Sequence, residues 1–351
     1  MLVDWNSEKT HLFLNPRMPQ EQKLELKDLP LLKGHLWVTT SGSNALKYVA
    51  LSKVAILLSA ESVNRHLGIQ KEDVWMHVLP DFHVGGIGIW ARSFLSGSKV
   101  VKLDSWNPEL FIEQTSLHQG TIVSLVPTHL FDLVAKGFTA PSSLRCVIIG
   151  GGAISDALFQ RAKKLGWPIV ASYGMTECCS QVATATLDSP QTLRLLSHMQ
   201  VKCDPEGRIA IKSPSLCTKC VKKNGDKWEC FDPKEEGWFF TEDKGEMNQG
   251  ILKVYGRDSH FVKIGGENVN LHFLNQILEE VKISLSFSCD AFISAINDER
   301  LGKTIQLITT SHDRMDEMIF AFNTLVHPFE KIRSVRQVEI IPKTPLMKVK
   351  H

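Results

Sequence analysis

Five consecutive residues, Tyr173-Gly174-Met175-Thr176-Glu177, bring an aromatic ring, a bend, a hydroxyl and a carboxylate together after an apolar run. The ring can stack on a base, the Thr176 hydroxyl can bond a phosphate oxygen, and Glu177 can hold Mg2+ beside it. Upstream, Thr39-Thr40-Ser41-Gly42-Ser43-Asn44-Ala45-Leu46-Lys47 supplies hydroxyls, a glycine and a lysine, a composition suited to wrapping phosphate oxygens. Read alone it equally suits an ordinary polar turn. Gly150-Gly151-Gly152-Ala153 allows a flat ligand or a phosphate to approach the backbone, or simply a strand and a helix to pack tightly. Asp243 could accept two hydrogen bonds from a ribose diol, and Arg257 could reach ribose or phosphate. Lys263-Ile264-Gly265-Gly266-Glu267 and Pro342 to Lys350 follow; each alone suits a solvated turn or tail.

Rigid elements must hold these groups. His35 to Thr40 is β-prone, and Tyr48 to Leu67 carries apolar residues at helical spacing, so the hydroxyl-rich loop is expected between a strand and a helix N-terminus. Asp73 to Leu79, Lys99 to Leu103, Thr121 to Val126, Leu144 to Ile149 and Pro168 to Ser172 read as strands. Pro108 to His118, Thr128 to Lys136 and Ser155 to Leu165 read as helices, the last with Ser155 as N-cap. This alternation predicts an α/β fold with largely parallel strands. The 35 residues at the front read as an irregular lead-in with a short helix near Gln20 to Lys27. From Val201 short strands separated by polar turns predict a small antiparallel β region. From Arg257 two helices (Leu271 to Val281, Asp313 to His327) and three strands (Ala291 to Asn297, Thr304 to Thr309, Val335 to Ile341) predict a separate α+β lobe. The expected domains are residues 1–256 and 257–351.

With 351 residues, 43% of them hydrophobic and 22% charged, the composition is that of a globular protein. A net charge of +2 without a basic block gives no nucleic-acid signal. No apolar run reaches the ~18 residues of a membrane span; Val49 to Ala60 is broken by Ser52 and Lys53. The N-terminus lacks a basic-then-apolar signal pattern, and eight scattered cysteines read as reduced thiols, so a cytoplasmic location is expected. Cys217-x-x-Cys220 with Cys203 and Cys230 offers a zinc reading, but only one close pair is present, and reduced thiols are the simpler account.

Together and in this order, the motifs from Thr39 to Lys350 resemble the adenylate-forming superfamily of acyl- and aryl-CoA synthetases. Leu79-Pro80-Asp81-Phe82-His83-Val84-Gly85-Gly86 and Tyr173 to Thr184 look closest to the o-succinylbenzoate–CoA ligases of menaquinone biosynthesis. The resemblance implies an AMP-forming acid–CoA ligase. A carboxylate would attack the α-phosphate of MgATP, and coenzyme A would then displace AMP. By motif, Thr40, Ser41, Gly42, Ser43 and Lys47 would hold phosphates, and Gly151 and Gly152 would flank the adenine and the acyl group. Tyr173 would stack on adenine, followed by Gly174 and Met175; Thr176 would touch phosphate and Glu177 would ligate magnesium. Asp243 and Arg257 would bind ribose, and His83 would gate the acyl pocket, unless it is a satisfied core histidine. Lys348 would bridge the carboxylate and the α-phosphate, Ser259 would be the hinge of a mobile C-terminal lobe, and Lys263, Gly265 and Gly266 would line the CoA channel.

The chain also departs from the pattern. The phosphate loop is one residue short, with Asn44, Ala45 and Leu46 where Thr, Gly and Pro are usual. Thr241-Glu242-Asp243 replaces Thr-Gly-Asp, Ser259 and His260 replace an acidic pair, and Met347 replaces a glycine before Lys348. Only 38 residues precede the loop, so part of a front subdomain is expected to be missing, leaving a sheet edge for a partner or a second copy. Other acids, a carrier-protein acceptor and a non-catalytic nucleotide-binding relative are the competing readings.

Overall fold

The computed structural model describes residues 3–16, 18, 20–26, 29–40, 47–224, 227–257, 261–264, 267–287, 289–311 and 313–341. Strands β1 (His11–Phe13) and β2 (His35–Thr40) lie parallel, with α1 (Gln20–Glu25) between them in the chain. β2 pairs antiparallel with β3 (Lys47–Ser52), Thr40 opposite Lys47, and α2 (Lys53–Leu67) follows. The run expected as one helix from Tyr48 is therefore a strand up to Ser52. Val49 and Leu51 enter one core while Tyr48 and Ala50 enter another, so burial on both faces favours the strand. A continuous apolar run does not distinguish these states by periodicity. Ser52 then starts the helix, its Oγ accepting from the Ala55 N–H at 3.1 Å. The hydroxyl-rich segment thus connects two paired strands, and no helix begins at Lys47.

Next come β4 (Val74–His77), α3 (Val84–Ser96), β5 (Lys99–Lys102), α4 (Pro108–Leu117), β6 (Ile122–Leu125), α5 (Pro127–Ala135), β7 (Cys146–Ile149), α6 (Asp156–Lys164) and β8 (Ile169–Met175). The strands form a parallel sheet in the order β5-β4-β6-β7-β8. Met76, Val123, Val147 and Ile149 pack against Phe111, Leu130, Leu133 and Leu158 of α4, α5 and α6. The alternate residues Trp75, Ile122, Cys146 and Ile148 pack against Ile89 of α3. Burial on both faces explains the near-continuous apolar strands. Ser155 caps α6 as expected, accepting from the Leu158 N–H at 3.2 Å.

The sheet continues antiparallel. β9 (Ser180–Thr186) pairs with β8 and with β10 (Ser189–Leu195). β11 (Gln200–Cys203), β12 (Arg208–Lys212), β13 (Lys219–Asn224), β14 (Lys227–Phe231), β15 (Lys234–Glu235), β16 (Trp238–Asn248) and β17 (Ile251–Arg257) follow. The order β11-β12-β16-β17-β10-β9-β8 joins the expected antiparallel region to the parallel one as a single twelve-stranded sheet, β15 pairing with β16. β13 and β14 leave it and extend the first sheet beside β3.

β18 (Phe261–Ile264), β19 (Glu267–Asn270), α7 (Leu271–Ser284), β20 (Ala291–Asp298), β21 (Gly302–Thr309), α8 (Met315–Leu325) and β22 (Ile332–Gln337) form the α+β lobe. Its own core holds Leu274, Leu278, Ile293, Leu307, Met318 and Phe322. β22 starts at Ile332, not Val335, because Ile332 pairs with Ile305 of β21 and buries its side chain. Arg161 of α6 donates to the Ile283 carbonyl at 3.3 Å, joining the lobe to the parallel-sheet body. All eight cysteines are free. Among the described residues, no helix is long and apolar enough to cross a membrane.

One buried carboxylate ties the sheet to its helices. Asp73 accepts from Arg145 Nε (2.8 Å) and Nη2 (2.6 Å), Thr121 Oγ1 (2.8 Å) and the Gln70 N–H (2.8 Å). Arg145 also donates to the Leu67 and Gly68 carbonyls at the end of α2. Burial raises the Asp73 pKa, but the hydrogen bonds from Arg145, Gln70 and Thr121 outweigh it, and the net shift is downward. Asp73→Asn is expected to cost about 2 kcal/mol in urea unfolding, Arg145 being partly exposed. The carboxylate contributes fully above the free value of ~3.9 and its contribution is lost as pH falls through the lower folded value. The wild-type and Asn curves should therefore converge in acid.

Candidate active site

The Tyr173–Glu177 segment crosses from β8 into a one-turn 3-10 helix, Thr176–Cys178. Only glycine fits at position 174. A Cβ there would stand 1.9 Å from the Ser180 carbonyl oxygen, where a bulge shifts the β8–β9 register. The return is strained: Cys179 has φ 58° and Ser180 φ 120°, both uncommon for residues other than glycine. Cys178, the last residue of the turn, and Cys179 after it are buried. Thr176 is half-buried and Glu177 is buried.

Lys47 Nζ donates to Glu177 Oε1 at 2.5 Å. Burial lowers the Lys47 pKa, but the Glu177 charge and hydrogen bond outweigh it, so the net shift is upward. Two adjacent N–H groups set this meeting. Cys217 N–H donates to the Glu177 carbonyl (2.7 Å) and Thr218 N–H to the Ala50 carbonyl (2.9 Å). Residues 217 and 218 thus bind the 3-10 turn to β3, and the β3–β13 register places Lys47 opposite Lys222.

At the other end of the segment, the Tyr173 hydroxyl donates to Asp243 Oδ2 at 2.7 Å. Burial, and then the Asp243 charge, push the Tyr173 hydroxyl pKa up, so it stays a donor. Asp243 lies opposite Arg257 on β16 and β17, and Arg257 Nε is 3.5 Å from Asp243 Oδ1. Arg257 Nη1 is also 3.6 Å from Glu242 Oε2. Thr241 Oγ1 accepts from the Asp243 N–H at 3.0 Å and fixes the bend. A carboxylate between a phenol and a guanidinium can accept from a vicinal diol.

Gly151 and Gly152 lie exposed between β7 and α6, Gly151 with φ 77°. His83 precedes α3, half-buried, its ring 4.6 Å from that of Phe82. The turn before it fits because Gly86 lacks a Cβ, which would lie 2.3 Å from the Pro80 carbonyl oxygen. Asp81 beside it accepts from His77 Nε2 and Trp90 Nε1, both at 2.8 Å, and from Lys102. Those bonds, led by His77, outweigh burial and hold the Asp81 carboxyl well below the usual range. Lys263 is exposed on β18, opposite Asn268. Ser41, Gly42, Ser43, Ser259, Gly265, Gly266 and Lys348 lie outside the described residues, as does the side chain of Thr40.

One residue escaped the sequence reading. Arg92 of α3 is buried, donates to Ser180 Oγ at 3.2 Å and stands 5.6 Å from the Trp75 ring centroid. Its Nε and Nη1 have no hydrogen-bond partner among the described residues, and burial pushes its pKa down to about 10. A buried guanidinium without a carboxylate is costly and suits an anionic ligand. The only local signal was an arginine inside the apolar run Ile87 to Leu95.

Among the described residues, no three His, Cys, Asp or Glu side chains gather as a metal cage. A lone buried carboxylate, Glu177, fits a magnesium ion that takes its other oxygens from water and substrate phosphates.

A family model described as AMP-binding enzyme matches residues 36–216. The 2-succinylbenzoate–CoA ligase of Bacillus licheniformis is 31% identical over 274 residues, covering 74% of this chain and 56% of the relative. The Bacillus subtilis ligase of the same name is 30% identical, covering 70% of this chain and 52% of the relative. The chain thus spans a little over half the length of these curated relatives. Among solved structures, o-succinylbenzoate CoA synthetase from Bacillus subtilis, in complex with an acyl-adenylate intermediate, is similar at TM-score 0.76 and 24% identity, over 90% of this chain and 67% of that one. The same synthetase with ATP and magnesium gives 0.74 at 24% identity, over 90% and 68%. These likenesses are of fold.

The close approach at Gly174 can be tested directly. Gly174→Ala is expected to lower stability by about 1–3 kcal/mol in urea unfolding, because the strand backbones must separate. A change below about 0.5 kcal/mol would mean that the bulge accommodates a methyl group without cost.

Proposed function

The chain belongs to the AMP-binding enzyme family, and on that premise we propose that it is an ATP-dependent acid–CoA ligase whose preferred acid is o-succinylbenzoate. The observation that carries this reading is the Tyr173–Glu177 segment, with Lys47 bonded at one end and Asp243 at the other. That spacing suits a nucleotide laid along the segment, ribose at Asp243 and Arg257, phosphates at Thr176 and Lys47. The relatives' names support the choice of acid. So does Arg92, a buried cation with no carboxylate partner among the described residues, which would meet a second carboxylate.

In the first half-reaction, a carboxylate oxygen of the acid attacks the α-phosphorus and pyrophosphate leaves. Lys348 and Lys47 would stabilise the charge that builds on the phosphate oxygens. Glu177 would hold magnesium, which supplies charge neutralisation at the phosphates. Tyr173 would lie along the adenine, Gly151 and Gly152 beside the adenine and the acyl group, and His83 near the acyl entrance. In the second half-reaction, the thiol of CoA attacks the acyl carbon, AMP leaves with the former carboxylate oxygen, and the thiol proton passes to solvent. The lobe from residue 257 would move about Ser259 between the two steps, bringing Lys263, Gly265 and Gly266 to the pantetheine. Eight free thiols support work in a reducing cytoplasm.

The protein should release pyrophosphate from MgATP only when the acid is present, and thioester should follow on adding CoA. Nucleotide binding without release for any acid would favour a non-catalytic relative. Lys348→Ala should cut adenylate formation roughly 10²- to 10³-fold while sparing thioester formation from supplied acyl-adenylate; equal loss of both steps would contradict the assignment. Arg92→Met should raise KM for o-succinylbenzoate on the order of tenfold or more and leave an aromatic monocarboxylic acid unaffected. Equal effects on both acids would remove Arg92 from substrate recognition.

A further inference from the structure

The Lys47–Glu177 pair poses a problem for a metal site. Glu177 keeps only 9% of its side chain exposed, and its Oε1 is taken by an ammonium at 2.5 Å. The pair is built in by the main chain. The Glu177 carbonyl is held by the Cys217 N–H and the Ala50 carbonyl by the Thr218 N–H, so neither β3 nor the 3-10 turn drifts from the other. A divalent ion on the same carboxylate would stand within a few ångströms of the Lys47 charge, in surroundings that screen poorly. The ammonium and the metal therefore compete for one buried anion. The phosphates of a nucleotide change that balance, because they give Lys47 a second anion within reach of the same strand end.

We propose that Lys47 is a resident counter-cation that bars divalent metal from Glu177 until nucleotide phosphate draws the ammonium away, so that metal enters with the nucleotide and not before it. This rests on the reading of Glu177 as the metal-holding carboxylate. The exchange keeps every charge paired. Before binding, Lys47 neutralises Glu177; afterwards Lys47 would face phosphate and Glu177 would be free to hold the metal. The same residue thus has two opposite effects on ligands: its removal helps bare metal and harms nucleotide.

The test is Mn2+ binding to the nucleotide-free protein, followed by the electron paramagnetic resonance signal of free Mn2+. Lys47→Met should bind Mn2+ at least about tenfold more tightly than wild type, and Lys47→Gln should shift in the same direction. Lys47→Arg, which keeps the charge, should stay at the wild-type level and serves if the neutral variants fold poorly; tight Mn2+ binding by this variant would overturn the proposal. The double variant Lys47→Met/Glu177→Gln should lose the gain, locating it at that carboxylate. Unchanged or weaker Mn2+ binding in Lys47→Met, or a gain that survives Glu177→Gln, would overturn the proposal. None of these titrations involves turnover. Pyrophosphate release by the wild type can therefore stand while this proposal fails, and the Mn2+ shift can appear in a protein that releases none.

Discussion

The site depends on two neighbouring N–H groups. Cys217 and Thr218 donate to Glu177 and Ala50 in turn, and so fasten a turn of the large sheet to a strand of the small one. Without that clamp the Lys47 ammonium and the Glu177 carboxylate would belong to independent surfaces, and their attraction would be the weak one of a solvated pair. With it, a segment that begins at the Tyr173–Asp243 bond ends at a preset ion pair.

The clamp needs both sheets to be stiff. The parallel strands are buried on both faces, with α4 to α6 on one side and α3 on the other, so a register shift would exchange two cores at once. β13 leaves the antiparallel strands to pair with β3, and residues 217 and 218 immediately precede it. The strain at Cys179 and Ser180 and the tight approach at Gly174 are concentrated in the same few residues. Local strain is held there by a well-packed surround, as is common where geometry serves binding.

The motif residues were legible because their chemistry is local: a ring, a hydroxyl and a carboxylate within five positions say what they can bind wherever the strand ends. The parallel α/β alternation was legible for the same reason. Four features were not. Tyr48 to Ser52 read as helix because an apolar run buried on both faces has no diagnostic period. The β9–β10 pair, Ser180–Thr186 and Ser189–Leu195, is rich in Ser, Gln and Thr, and its few apolar residues follow no strict alternation. Arg92 and the Tyr173–Asp243 bond depend on tertiary packing; the latter joins residues 70 positions apart, and no spacing rule reaches that far.

The central claim is that the acid's carboxylate attacks the α-phosphorus of a nucleotide lying along this segment. Acid labelled with oxygen-18 in its carboxylate, carried through a full turnover with ATP and CoA, tests it most directly by mass spectrometry of the products. The account predicts one labelled oxygen in AMP and none in pyrophosphate, because the bridging oxygen of the adenylate leaves with the nucleotide. Label in inorganic phosphate with release of ADP, or thioester formed with unlabelled AMP, would contradict it.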